Sequence, residues 1–294
     1  MKNTTKTEAN QNNTENNKTR RTTKSREERR REKLLSDSSS FYMREAYKTL
    51  RTNIMFSMPH EGCKKLIVTS SLAAEGKSTN CMNIALTFAE TGARVCIMDC
   101  DLRRPNVHRL MNVDPVPGLS NALIGMNTVN DIIRHSQYQN LDFISAGDTP
   151  PNPAELLGSE RFKELLGEIE KNYDYIFIDT CPVNVVTDTA IVSKVVPDVI
   201  MVVLQNSTEK DSLKDAVNQL EFAGAKIIGF ILNGVEYTSK GGYKYRYGAK
   251  YYRAGGRYSR YTSYYRKYGY GDNYGYDSRD YGKKKEELTK SAEK

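Results

Sequence analysis

The chain has 294 residues, a formal net charge of +8 and a mean hydropathy of −0.65. Its length allows one substantial core, but so polar an average predicts that part of the sequence lies outside any core. The charge is uneven: +5 over residues 1–40, −6 over 41–236 and +9 over 237–294. The basic excess belongs to the two ends, and none of the usual nucleic-acid-reading motifs occurs, so binding to a specific nucleic acid is not expected.

The sequence carries no sign of export or of membrane insertion. Its first residues are polar and basic, and no run of about 18 apolar residues occurs, so we expect a cytoplasmic protein. The cysteines are odd in number and mostly lie in apolar runs, which is typical of reduced core thiols; no metal–thiolate centre is expected. They are Cys63, Cys81, Cys96, Cys100 and Cys181.

Three regions differ in composition. Residues 1–40 are rich in Asn, Thr, Lys, Arg and Glu, with almost no large apolar residue before Leu34, and are predicted to be a disordered basic extension. Residues 41–236 have the apolar patterning of a folded domain. Residues 237–294 contain fifteen of the 20 tyrosines among Gly, Arg, Lys and Ser, which predicts a low-complexity, disordered tail.

Within the domain, strands and helices are predicted to alternate. Apolar residues recur at helical spacing over 41–58, and further helices are predicted near 160–171, 187–196 and 208–223. Short apolar runs predict strands at 66–68, 95–98, 141–145, 175–178, 199–204 and 227–232. This order is typical of an α/β fold with a mostly parallel sheet covered by helices on both faces, which binds ligands beyond the carboxyl ends of its strands.

The segment from Ser71 to Thr79 (SLAAEGKST) follows a predicted strand and opens a predicted helix, as the phosphate loop of a P-loop NTPase does. Its backbone N–H groups and the helix N-terminus can surround phosphates, the Lys77 ammonium can reach the β and γ phosphates, and the Ser78 hydroxyl can bind Mg²⁺. The sequence therefore predicts an ATP and Mg²⁺ site. Its binding residues are expected to be Ser71, Ala73, Ala74, Glu75, Gly76, Lys77, Ser78 and Thr79.

Three carboxylates follow predicted strands at the same edge of the sheet. Asp99 and Asp101 come after one strand, and Asp179 ends another. A Mg²⁺–ATP site needs oxygen ligands, and transfer to a tyrosine also needs a base, because a phenol with a pKa near 10 is mostly protonated at neutral pH. An isolated Asp more often caps a loop, but three at strand ends favour a catalytic site.

The chain resembles the bacterial tyrosine kinases of capsular and exopolysaccharide biosynthesis, in their cytoplasmic P-loop form, over roughly residues 41–236. The resemblance rests on the phosphate loop, on DCDLRRP at 99–105, on the Asp179 segment, on GLS at 118–120 and on GDTPPNPAELL at 147–157. It implies that Lys77 and Ser78 bind phosphate and Mg²⁺, that Asp101 and Asp179 support the metal, and that Asp99 is the base. The assignment between Asp99 and Asp101 stays open.

The resemblance also marks four less certain positions. Asn233 follows the last strand, where related ATPases place an asparagine against adenine, but a simple strand-end turn explains it equally well. Arg103 either orders the segment after Asp101 or is an exposed surface arginine. The family usually has Pro-Gly where this chain has Ala73-Ala74, so Ala74 is expected to adopt a backbone conformation that favours glycine.

The family's assembly motif, Glu-x-x-Arg-x-x-Arg, has a counterpart in Glu45, Lys48 and Arg51, with Lys in place of its first Arg. A ring-like homo-oligomer through this helix is therefore expected. The resemblance further implies a separate transmembrane activator of the polysaccharide chain-length type, a cognate tyrosine phosphatase and recruitment to the inner face of the plasma membrane.

The tyrosine-rich tail is the family's expected phosphoacceptor, which makes the chain an autophosphorylating protein-tyrosine kinase. The acceptor candidates are Tyr243, Tyr245, Tyr247, Tyr251, Tyr252, Tyr258, Tyr261, Tyr264, Tyr265, Tyr268, Tyr270, Tyr274, Tyr276 and Tyr281. One alternative is a partitioning or division-site ATPase, but those proteins carry a lysine at the position of Leu72. Another is a non-catalytic ATP-binding assembly regulator.

Overall fold

A computed structural model of the chain describes residue 28, residues 31–58 and residues 61–235. The predicted tyrosine-rich tail at 237–294, with every acceptor candidate, lies outside the described residues. So does most of the predicted N-terminal extension.

Seven strands form one sheet in the order β3-β4-β2-β5-β1-β6-β7. All neighbouring strands are parallel except β3, which pairs antiparallel with β4 at the edge. The predicted α/β fold is confirmed, and each predicted strand is present; the two-residue β3 was not predicted. The strands are β1 (Lys64–Ser70), β2 (Val95–Asp99), β3 (Arg134–His135), β4 (Leu141–Ile144), β5 (Tyr175–Asp179), β6 (Asp198–Leu204) and β7 (Lys226–Asn233).

The helices connect these strands across both faces of the sheet. The five predicted helices, including the one that the phosphate loop opens, correspond to α1, α2, α7, α8 and α9, whereas the short helices α3 to α6 were not predicted because four or five residues give too little periodicity. The helices are α1 (Phe41–Ser57), α2 (Lys77–Ala89), α3 (Val107–Met111), α4 (Leu119–Leu123), α5 (Val129–Ile132), α6 (Pro153–Leu157), α7 (Glu160–Ile169), α8 (Asp188–Ser193) and α9 (Lys210–Phe222). None of the helices among the described residues is long and apolar enough to cross a membrane.

Two apolar clusters cover the two faces of the sheet. One packs residues of α4 to α9 against the strands, and the other packs residues of α1, α2 and α3 against them. Strand β2 and the last five residues of β1 are buried throughout, as expected for parallel strands with helices on both sides. The central strands are thereby fixed, and their carboxyl ends form a rigid edge.

The folded domain begins earlier than the predicted boundary at residue 41. Leu34 and Leu35 are 4% and 5% exposed and belong to the same apolar cluster as α1 and α2. The boundary was placed too late because two leucines in a charged segment give no periodic signal. The part of the predicted extension from 31 to 40 is therefore docked on the domain.

Candidate active site

The phosphate loop lies where the sequence predicts it, between the end of β1 and the first residue of α2, Lys77. Gly76 has a φ of +95°, and a Cβ there would lie 2.3 Å from the Asn233 amide nitrogen, so only glycine fits. Ala74 has a φ of +69°, in the left-handed region, as its replacement of the family's glycine predicted. Ala73 and Ala74 are both exposed at the mouth of the loop.

The buried Glu75 side chain stabilises the phosphate loop through hydrogen bonds. Its carboxylate, 3% exposed, accepts hydrogen bonds from the Ser71 hydroxyl at 3.0 and 3.1 Å, from the Leu72 N–H at 3.0 Å and from the Thr208 hydroxyl. The Ser71 and Glu75 side chains are thus committed to each other. Only the backbone atoms of these two residues are therefore available to a ligand.

Asn233, at the end of β7, also contacts the loop. Its side-chain amide donates to the Glu75 carbonyl at 2.9 Å, and its own carbonyl accepts from the Gln205 N–H at 2.9 Å. This residue is therefore not a simple strand-end turn, because its side chain ties β7 to the phosphate loop.

The Lys77 ammonium lies between two of the predicted carboxylates. It is 2.8 Å from Asp101 Oδ2, 3.3 Å from Asp179 Oδ1 and 3.4 Å from the Ser78 hydroxyl. The Lys77 side chain is 12% exposed, that of Asp101 is 4% exposed and that of Asp179 is fully buried. The fold thus gathers four predicted site residues at one point.

Asp99 lies directly opposite Asp179 in the register of β2 and β5, but its carboxylate has different partners. Oδ1 accepts from the Asp101 N–H at 3.2 Å, and Oδ2 accepts from the Asn106 and Val107 N–H groups, both at 2.9 Å. Asp99 is fully buried. It therefore shapes the segment 100–107 by binding three of its amides.

The four charged groups perturb one another. Burial lowers the pKa of Lys77, but the charges of Asp179 and Asp101 outweigh that effect and raise the pKa above its usual value. Burial raises the pKa of Asp101, but Lys77 and neighbouring hydrogen bonds outweigh it and lower the pKa. Burial raises the pKa of Asp179, and Lys77 offsets this in part. Burial and the Asp179 charge raise the pKa of Asp99 to about 7.

A second layer of contacts holds Asp101 in place. Asp101 Oδ1 accepts from the Arg104 N–H at 2.9 Å and from the Cys181 thiol at 3.0 Å. Arg103 binds the buried Asp188 through two hydrogen bonds, from Nε at 2.8 Å and from Nη2 at 3.0 Å. Arg103 thus ties the segment after Asp101 to the first residue of α8, while its side chain stays 40% exposed, so both interpretations of this residue remain open.

The predicted Mg²⁺ ligands form a donor set that suits this ion. Asp179 Oδ2 is buried and has no hydrogen-bond partner among the described residues, while Asp101 and the Ser78 hydroxyl lie around the same ammonium. Magnesium is typically bound by one or two carboxylates together with phosphate oxygens and water. Within the described ranges, no group of three or more His, Cys, Asp or Glu side chains is arranged to hold a metal by itself.

Sequence reasoning missed several residues that shape the site. Cys181 was interpreted only as a core thiol, and Asp188 and Thr208 were not considered. Their contacts to Asp101, Arg103 and Glu75 join segments far apart in the chain, which no local pattern marks. For Cys181, its place two residues after Asp179 at a strand end was a usable signal.

The assembly motif on α1 divides into two parts. Lys48 forms an ion pair with Glu45 at 2.8 Å, and the Lys48 side chain is 49% exposed. The Arg51 guanidinium instead donates to the Thr87 carbonyl of the same domain, at 2.5 Å. Two aromatic side chains at the ends of the helix, Phe41 and Phe56, are 63% and 70% exposed.

Comparisons with known proteins agree with this geometry. A family profile described as an AAA domain matches residues 64–221. The chain is 36% identical over 212 residues to the putative tyrosine-protein kinase CapB of Staphylococcus aureus, covering 72% of this chain and 93% of that protein. It is 36% identical over 206 residues to the tyrosine-protein kinase YwqD of Bacillus subtilis, covering 70% and 86%.

Among solved structures, the kinase domain of the Escherichia coli tyrosine kinase ETK matches with a TM-score of 0.64 and 33% identity, over 68% of this chain and 78% of that one. The profile match spans β1 to β6, the phosphate loop and the acidic strand ends described above. The chain therefore belongs to the bacterial tyrosine-protein kinases of the capsule and exopolysaccharide type.

Proposed function

We propose that this protein transfers the γ-phosphate of ATP to tyrosines in its own segment 237–294 and that it thereby regulates the synthesis of a capsular or extracellular polysaccharide. The observation that carries the proposal is the cluster of Lys77, Ser78, Asp101 and Asp179 at the end of the phosphate loop. Phosphoryl transfer depends mainly on positioning and on stabilising charge, and this cluster supplies groups for both. The kinase names of the relatives support the same reaction.

Each predicted residue has a role in this proposal. The backbone of 71–79 and the Lys77 ammonium bind the phosphates, and Lys77 leaves its carboxylate partners to do so. Ser78, Asp101 and Asp179 hold Mg²⁺, which when bound neutralises charge on the phosphate oxygens. Asn233, which already touches the loop, lies beside the nucleotide.

Asp99 takes the proton of the acceptor tyrosine. Its hydrogen-bond partners are neutral amides, whereas Asp101 is assigned to Mg²⁺, and a cation makes the carboxylate that it binds a weaker base. Because Asp99 is fully buried, this role requires the segment 100–107 to shift when the acceptor binds.

The tail and the domain have complementary charge. Residues 237–294 carry +9 and residues 41–236 carry −6, so the tail is attracted to the domain that modifies it. Each phosphate adds about −1.5 to −2 charges near neutral pH, so about five or six transfers cancel the charge of the tail and further transfers reverse it. Phosphorylation thus weakens the attraction and limits further transfer.

Transfer occurs between subunits of a homo-oligomer. The exposed Glu45–Lys48 pair and the exposed aromatic residues at both ends of α1 support an assembly through this helix. A separate transmembrane protein activates the assembly and recruits it from the cytoplasm to the inner face of the plasma membrane. A tyrosine phosphatase removes the phosphates from the tail.

The first experiment incubates the purified full-length chain with γ-labelled ATP and Mg²⁺ and analyses the label by residue type. Label on tyrosine supports the kinase. Hydrolysis of ATP without labelled tyrosine favours a partitioning-type ATPase, and ATP binding without either reaction favours a non-catalytic regulator.

The second experiment tests transfer between subunits. A full-length Lys77→Met chain serves as acceptor, and an active chain truncated after Glu236 serves as donor. Strong labelling of the acceptor supports transfer between subunits. Absent labelling, with a donor shown to be folded and to bind ATP, refutes it.

A further inference from the structure

A chain of polar side chains connects the docked N-terminal segment to the phosphate loop. It begins at the backbone of Lys33 and Leu35, passes through Asn83, Tyr47 and Asn80, and ends at the carbonyl of Gly76. Gly76 directly precedes Lys77.

Asn83 binds the docked segment at two points. Its Oδ1 accepts from the Leu35 N–H at 2.8 Å, and its Nδ2 donates to the Lys33 carbonyl at 3.1 Å. A backbone carbonyl can only accept and a backbone N–H can only donate, so the orientation of this amide is fixed. The second N–H of Asn83 Nδ2 then points at the Tyr47 hydroxyl, 3.1 Å away.

The same reasoning fixes the Tyr47 proton. Asn80 Nδ2 donates to the Gly76 carbonyl at 3.0 Å, so Asn80 Oδ1 is an acceptor, and it lies 2.9 Å from the Tyr47 hydroxyl. Tyr47 therefore accepts from Asn83 and donates its single proton to Asn80. Every bond along the chain has one permitted direction, so the chain has a single arrangement.

The two asparagines of this chain are buried, so their hydrogen bonds matter for the stability of the fold. Asn83 is fully buried and Asn80 is 3% exposed, so a lost partner leaves a buried polar atom unsatisfied. At the loop end, Asn80 and Asn233 hold two successive carbonyls, those of Gly76 and Glu75. The conformation of the loop before Lys77 is thus held from both sides by asparagine amides.

We propose that Tyr47 is a positioning residue of the phosphate loop, and that through it the docking of residues 33–35 sets how tightly the nucleotide is bound. The proposal rests on the proposed function in so far as the loop binds a nucleotide. It gives the residues before α1 a role in the active site, although they touch no part of it directly.

The main test compares two tyrosines of the same helix in the full-length protein. Tyr47→Phe removes only the hydroxyl that joins the two asparagines, whereas Tyr42→Phe alters a half-exposed hydroxyl outside the chain of hydrogen bonds. The measurement is the dissociation constant of a fluorescent ADP, methylanthraniloyl-ADP with Mg²⁺. Of the two hydrogen bonds that Tyr47→Phe removes, the one donated to Asn80 lies on the loop side. Since one hydrogen bond to a neutral group contributes about 1 kcal/mol, the loss of that bond should weaken binding about three- to tenfold. Tyr42→Phe should leave it unchanged.

Hydrogen exchange of the nucleotide-free protein gives a readout that does not depend on the ligand. Tyr47→Phe should speed exchange of the amides at 76–80, near Gly76, by a similar factor, while amides of α7, which belongs to the other apolar cluster, stay as in the wild type. A purely structural role would lower the stability of the whole domain and leave both the ADP affinity and the local exchange pattern unaltered.

A double-mutant cycle tests the link to the docked segment. Leu35→Ala loosens the docking and should weaken ADP binding several-fold in the wild type, but little further when Tyr47→Phe is already present. Leu35→Val is a gentler alternative should Leu35→Ala not fold. Effects that multiply independently would refute coupling through Tyr47.

The outcomes separate this proposal from the proposed function. A wild-type chain that binds the fluorescent ADP together with a folded Tyr47→Phe variant of equal affinity overturns the positioning role alone. A folded wild-type chain that binds no nucleotide overturns both.

Discussion

Replacing Ala74 by glycine tests whether the phosphate loop is strained. Ala74 holds a φ of +69°, and the left-handed conformation costs an L-residue about 1–2 kcal/mol. Glycine removes that strain but makes the unfolded chain more flexible, which destabilises by about 0.4–1 kcal/mol. The midpoints of these two ranges differ by about 0.8 kcal/mol, which is the gain in the free energy of unfolding that we expect for Ala74→Gly.

The neighbouring alanine is a matched control. Ala73 is also exposed, but it is not among the residues with positive φ, so Ala73→Gly adds flexibility to the unfolded chain without relieving strain. It should lower the free energy of unfolding by about 0.4–1 kcal/mol. The two substitutions, identical in chemistry and adjacent in sequence, should shift stability in opposite directions.

The assay is thermal and urea unfolding of the nucleotide-free protein, followed by circular dichroism. For a domain of about 200 residues, 1 kcal/mol corresponds to about 2–4 °C in Tm. Ala74→Gly should therefore raise Tm by about 1–4 °C while Ala73→Gly lowers it. If both variants lower Tm alike, Ala74 is not strained.

Three further substitutions test other parts of the site. Lys77→Met should abolish tyrosine labelling. It leaves two buried carboxylates without their cation, so it should also lower the free energy of unfolding by about 3 kcal/mol or more, measured by urea unfolding. A folded variant with normal labelling would contradict the role of Lys77. Asp99→Asn should keep ATP binding but slow phosphotransfer at least about tenfold, measured in single turnovers; unchanged transfer would move the base to another residue. Arg103→Lys should lower the free energy of unfolding by about 1–2 kcal/mol, because it loses the two hydrogen bonds to Asp188. The control Arg104→Lys, whose bond to Asp101 uses only the backbone, should change that free energy by less than about 0.5 kcal/mol. Equal effects of the two substitutions would show that the Arg103–Asp188 pair does not stabilise the fold.

Much of the fold and part of the site follow from local sequence. The apolar runs end at Asp99 and Asp179 because parallel strands buried on both faces stop where the chain becomes polar, so both strand ends were predictable. The left-handed Ala74 was predicted from the family resemblance rather than from local sequence, because the family usually has glycine at this position.

The remaining features depend on contacts between distant segments. The thiol of Cys181 reaches Asp101 across 80 residues, and the buried Asn83 pairs with the backbone of Leu35 across 48. Neither pairing leaves a periodic or compositional trace. For the same reason the docked segment at 31–40 was assigned to the extension, since its two buried leucines stand among charged residues.

The central claim is that the domain phosphorylates the tyrosines that follow it. The most direct measurement incubates the full-length chain with ATP and Mg²⁺ and maps phosphotyrosine by mass spectrometry, with the Lys77→Met chain treated identically. We expect phosphate on several of the fourteen candidate tyrosines between Tyr243 and Tyr281 in the wild type, and none in the variant. A wild-type chain that binds ATP yet carries no phosphotyrosine between 237 and 294 would contradict it.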